Sequence, residues 1–220
     1  MSPSRGLILA VLALAALGAV GCQEFAWILT NTIGPFVPED KVEAQYSLKG
    51  KSVLILVDTK DATLASEYPR IEVTLADAIS KCLATAKACG PIVSSHSVEA
   101  ARRSEPGFRE WSVEEVGKYF NVDLVIHLEL FTFRVKDDPG ANLFHGYAEA
   151  SVRVVAPETG DQVWPVLAAA RVINAETVQG TEPEREDQQE PNLVEGFADK
   201  IARLFYTYKK DDLPIRPKVK

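Results

Sequence analysis

The sequence predicts an α/β protein: a mixed sheet of about five strands with about three packed helices, in the order β-α-β-α-β-β-β-α. Three observations predict it. Val53-Leu54-Ile55-Leu56-Val57 is a continuous, β-branched apolar run, the pattern of a strand buried on both faces. Ile71, Leu75, Ala78, Ile79, Cys82 and Ala86 then recur at helical spacing and mark one buried stripe. Further on, Val122 to Arg134 and Leu143 to Ala156 alternate apolar and polar residues on either side of Asp137-Asp138-Pro139-Gly140, which is turn chemistry.

The remaining elements follow in order. Residues 58–70 read as a polar connection after the first strand. Gly90-Pro91 stops the helix that starts near Ile71, and Ile92-Val93 reads as a short second strand. Ser97 to Arg103 reads as a brief helix ended before Pro106-Gly107. Ser112-Val113-Glu114-Glu115 is a capping box, in which hydroxyl and carboxylate satisfy each other's backbone amides. It opens a helix that turns Val113, Val116 and Phe120 inward and ends at Asn121. In the hairpin, Leu124, Ile126, Leu128 and Leu130 share one face, and Ala148, Ala150, Val152 and Val154 share one face of the return strand. Pro157 to Asp161 makes the next turn. Gln162 to Thr177 is one more strand, with Pro165 as its point of interruption. After an acidic loop, Asn192 and Glu195 cap a closing helix with Leu193, Phe197, Ile201, Leu204, Phe205 and Tyr208 on its apolar side.

The first residues belong to a different kind of segment. Arg5 supplies positive charge, Leu7 to Leu17 is almost unbroken apolar sequence, and Gly18, Ala19 and Gly21 lead to Cys22. This is the layout of a secretory signal, and it is shorter than the roughly 20 apolar residues that span a bilayer. The chain therefore divides into a signal (1–21), a tether (22–50), an α/β domain (51–208) and a polar tail (209–220). In the tether, Phe25, Trp27, Ile28 and Leu29 suit either a membrane interface or the domain surface.

Ala19-Val20-Gly21-Cys22 resembles the lipobox of bacterial lipoproteins, with alanine where leucine is commonest. The resemblance implies lipidation of Cys22, cleavage before it, and an anchor of two or three acyl chains. Each buried methylene contributes about 0.8 kcal/mol, and one chain alone holds a protein only marginally. Gln23 at the following position implies the outer membrane, with the domain facing the periplasm.

The element order resembles the small α/β domain shared by the Tol translocation protein's N-terminal part, the curli-secretion lipoproteins and the penicillin-binding-protein activator lipoproteins. The residues that carry the likeness are Gly50 to Leu56, Val122-Asp123-Leu124-Val125-Ile126-His127, and the Asp/Glu-Thr-Gly-like turn from Ala156 to Trp164. The curli-type pore needs transmembrane hairpins with roughly nine to eleven alternating residues per strand. Residues 58–70 and 100–112 are too polar and proline-broken to provide them.

Composition narrows the function. The formal charge is −7, and it becomes −8 when Arg5 leaves with the signal. An acidic exterior argues against nucleic acid, whose phosphates demand a positive face. There is no GxSxG, Walker A, HExxH or GxGxxG sequence, and no CxxC or Cys/His zinc spacing. His127, Glu129, His145 and Glu149 share the polar hairpin face, yet a turn centred on Pro139 sets His127 opposite Ser151 and His145 opposite Phe133, too far apart for one metal. Cys82 and Cys89 lie two helical turns apart, about 10 Å, beyond the roughly 7 Å limit for a disulfide unless the helix ends between them. The expected function is a non-catalytic, lipid-anchored envelope protein that presents a protein- or glycan-binding domain without a cofactor. An accessory role in lipid or polymer export is the first alternative. An envelope hydrolase, which would need Cys82, a serine or a histidine cluster in a pocket, is the second.

Overall fold

The computed structural model describes residues 40–136, 144–177 and 186–210. The readings of Cys22, of residues 22–39, of the 137–140 turn and of the tail beyond Lys210 lie outside them. The described body is the expected α/β arrangement. Its strands are β1 (Lys41–Val42), β2 (Val53–Thr59), β3 (Leu124–Lys136), β4 (Phe144–Ala156), β5 (Asp161–Trp164), β6 (Arg171–Glu176) and β7 (Tyr208–Lys209). Its α-helices are α1 (Ala62–Glu67), α2 (Ile71–Thr85), α3 (Ser95–Ser104), α4 (Val113–Tyr119) and α5 (Glu186–Ala202), with a 3-10 turn at Phe108–Glu110.

The main sheet has five strands. β2 runs parallel to β3, β3 antiparallel to β4, and both β5 and β6 pair with β4. β5 and β6 are thus one edge strand in two pieces, broken at the cis Trp164-Pro165 bond where the sequence set its interruption. The parallel β2–β3 pair explains the unbroken apolar run in β2, since helices cover both of its faces. Val53, Ile55 and Val57 join the larger core with α2 and α5. Leu54 and Leu56 face a smaller core of Val98, Ala101, Phe108, Val116 and Val125.

Local chemistry sets the helix ends. Ser112 and Glu115 form the capping box as read: Glu115 N donates to Ser112 Oγ (3.2 Å) and Ser112 N to Glu115 Oε2 (2.7 Å). Asn121 leaves the helical region with φ +52°, which its short polar side chain tolerates. Behind α4, Gly117 lets the helix approach Pro157 and Val125 so closely that a Cβ would lie 2.2 Å from Pro157 Cγ.

Several expectations need correction. The polar connection 58–70 contains α1, capped by the Asp61 carboxylate, which accepts from Thr63 N and Leu64 N. Ile92 forms a single parallel bridge to Val53 rather than a strand, because the chain turns into α3 at once. α5 begins at Glu186, before Asn192, and carries Pro191 within it. It ends at Ala202, so Leu204 and Phe205 are buried from the turn that follows. Residues 41–50 also pack on the body. β1 pairs with β7, Gln45 N and Tyr46 N donate to Leu204 O, and Leu48 is fully buried.

Candidate binding surfaces

Two surfaces concentrate chemistry. The first lies on the sheet face opposite α2 and α5, where the odd-numbered residues of β4 leave a polar strip. His127 is opposite Arg153, not Ser151: the register of β3 on β4 is shifted by two residues from that of a turn centred on Pro139. A bulge between Leu130 and Thr132 inserts Phe131, which is left exposed.

At the C-terminal end of β2, buried and half-buried ionic groups are joined in a chain. Arg102 of α3 donates to Asp58 Oδ1 (2.7 Å), to Val57 O (2.8 Å) and to Glu72 Oε2. Glu72 Oε1 accepts from Thr59 N (3.0 Å), so α2 is tied to the strand end. Asp58 Oδ2 bonds to His127 Nε2 at 3.0 Å, and Arg153 Nε donates to His127 Nδ1 at 3.1 Å. Burial opposes ionisation of Asp58, but the His127 hydrogen bond and the Arg102 charge outweigh it and hold the carboxyl below its usual range. Since Arg153 donates to Nδ1, His127 is the tautomer that donates from Nε2 to Asp58. Both ring nitrogens are engaged, and neither is presented to a hydroxyl or thiol as a base.

The four carboxylate and imidazole residues considered as metal ligands are not brought together. Glu129 pairs with Lys60 at 2.6 Å, Glu149 accepts from Tyr147 OH at 2.6 Å, and His145 Nε2 lies 3.7 Å from Glu176 Oε2. Among the described residues no cluster has the ligands to hold a metal ion.

The second surface is a cleft of about 510 Å³ between α2 and α5. Buried Val194 and half-buried Ala78, Cys82 and Tyr206 form its floor; exposed Asp77, Lys81, Glu190 and Glu195 form its rim. Asp199 reaches it from beneath, bonded to Arg203 Nε at 2.7 Å. Burial, reinforced by Asp199, pushes the Tyr206 phenol up to about 12. The same two causes raise the Cys82 thiol, and burial raises Cys89. Both cysteines are free thiols, although α2 does end between them at Thr85. Among the described residues no histidine lines the cleft, so none there serves Cys82 as a base.

Sequence reasoning placed Cys82 on the apolar stripe of α2 but missed the cleft, because its second wall comes from α5, over a hundred residues away. It also missed Arg102, Asp58 and Glu72. The one available signal was a set of charged residues flanking otherwise apolar elements.

No family model matches the chain, and no curated protein matches it. Among solved structures, the chain is similar to the lipoprotein GNA1162 from Neisseria meningitidis, at 13% identity and TM-score 0.41, over 57% of this chain and 82% of that one. It is also similar to the PelC dodecamer from Paraburkholderia phytofirmans, at 10% identity and TM-score 0.42, over 77% and 97% of the two chains. These values describe a distant likeness.

Proposed function

We propose that this chain is a lipid-anchored protein of the bacterial envelope whose α/β body binds a protein or glycan partner and does no catalysis. Acyl chains on Cys22 hold it to a membrane, and Gln23 directs it to the outer membrane facing the periplasm. The observation that carries this reading is the apolar run Leu7 to Leu17 followed by Ala19-Val20-Gly21-Cys22. Among the described residues, no helix is long and apolar enough to cross a membrane. The chemistry of the body supports a binding role: His127 has no free ring nitrogen, and Cys82 is held as a thiol.

A Cys22→Ser variant tests the reading. The wild-type chain should fractionate with membranes and show acyl mass on its mature N-terminal peptide, whereas the variant should be released. A variant that stays with membranes, or a wild-type chain that is freely soluble in the cell, refutes the anchor. Crosslinking in intact envelopes should recover one consistent partner.

A second reading, an accessory of lipid or polymer export, draws on the apolar floor of the α2–α5 cleft. Its acidic rim opposes an anionic phospholipid head group, which favours a protein or glycan partner.

A further inference from the structure

We infer that the α2–α5 cleft is a docking groove for an amphipathic helix of a partner protein with lysine or arginine beside its apolar stripe. This deepens the protein-partner reading above and rests on it. Three observations converge. The volume, about 510 Å³, lies within the roughly 300–1,000 Å³ of sites that enclose a ligand group. The floor of Ala78, Cys82, Val194 and the Tyr206 ring is apolar, as a helix-in-groove contact requires. The lining on α2 runs from Thr74 to Ala86, about 18 Å at 1.5 Å per residue, which matches about three turns of a third helix.

Charge selects the sign of the occupant. Glu190 and Glu195 stand exposed on the α5 side of the rim and make no ion pair among the described residues. On the α2 side, Asp77 Oδ1 accepts from Ser95 Oγ at 2.5 Å, and Oδ2 lies 3.9 Å from His96 Nε2. Among the described residues Lys81 is the one basic residue of the lining, and Asp199 is already paired with Arg203. The rim is therefore acidic overall, and a cationic flank gains where an anionic one is repelled.

The test uses the full chain in mild detergent and two synthetic peptides of about four helical turns. Both carry leucines at i, i+3, i+4 and i+7; one has lysines between them and the other glutamates. Alkylation is followed separately at Cys82, in the cleft floor, and at Cys89, outside the lining, so that protection reports the place of binding. The lysine peptide should slow labelling of Cys82 by about five-fold or more, with Cys89 unchanged and the glutamate peptide inert. A Glu190→Lys/Glu195→Lys variant, its fold checked by circular dichroism, should weaken the lysine peptide about ten-fold, as two lost exposed ion pairs imply. Equal protection by both peptides, unchanged affinity in the variant, or no protection of Cys82 overturns the inference. So does a Cys82 that resists labelling with or without peptide, since the groove would then be filled from within the chain. None of these readouts depends on Cys22, so failure here is separable from failure of the anchor.

Discussion

Replacing Arg102 by methionine should be among the most damaging single changes in the body, although the residue sits on a short helix between loops. The Arg102 side chain is 6% exposed, and the carboxylates it holds belong to Glu72, 11% exposed, and Asp58, 38% exposed. Removing one partner of a buried pair leaves an uncompensated charge and costs about 3–5 kcal/mol. Glu72 comes close to that condition: its remaining cationic partner among the described residues is Arg109, 3.4 Å away on a side chain that is 65% exposed. Asp58 is open enough for water to screen it, so the lower end, about 3 kcal/mol, is the better expectation. For a body of this size each kcal/mol lowers Tm by roughly 2–4 °C, which places the Arg102→Met variant roughly 6–12 °C below wild type. Thermal and urea unfolding followed by circular dichroism measure it.

A second substitution separates this cause from simple loss of packing. Glu72→Gln should cost much less in the Arg102→Met background than alone, with a coupling of about 1–3 kcal/mol, because it removes a buried charge that only the exposed Arg109 still pairs. The pH dependence has a definite sign. Asp58 titrates below its ordinary value in the folded protein. Its contribution is therefore present above the unfolded value of about 3.9 and is lost as pH falls through the depressed folded value. The gap between wild type and Arg102→Met should be full at about pH 5 and narrow below about pH 4. A Tm loss under about 2 °C, or equal cost of Glu72→Gln in both backgrounds, would refute the argument.

Two further outcomes follow from local geometry. Gly117→Ala forces a methyl group to within 2.2 Å of Pro157 Cγ and 2.7 Å of Val125 Cγ2, and should destabilise by about 1–3 kcal/mol in chemical denaturation; an unchanged midpoint would mean that α4 can lift off the sheet at no cost. In a spectrophotometric phenol titration, Tyr206 should ionise last, near pH 12, and Asp199→Asn should bring it down. Because the folded value is raised above the free value of about 10, its stabilising contribution is complete below that pH and disappears as pH rises through about 12. Tyr206→Phe should flatten that alkaline decline.

Much of the fold was legible because its signals are local. Continuous β-branched sequence marked β2, period-two alternation marked β3 and β4, Ser112 with Glu115 announced α4, and Pro165 located the break between β5 and β6. The α1 helix was overlooked because its apolar content is small, leaving Asp61 as its one capping signal. The hairpin register was misjudged by two residues, since a turn sequence does not state which residue is the pivot, and the Phe131 bulge adds no signature of its own.

The sequence by itself determined the elements, the charge balance and the lipobox-like start, all of which depend on residues near one another in the chain. Tertiary structure alone decided which groups meet. Glu72, Arg102, Asp58, His127 and Arg153 come from five separate elements and become one network only when the sheet and its helices close. The cleft likewise exists because α2 and α5, distant in sequence, pack side by side on the same sheet face and leave Val194 and Cys82 between two charged rims. Pairing over such separations is set by burial of a shared apolar surface, and no local pattern encodes it.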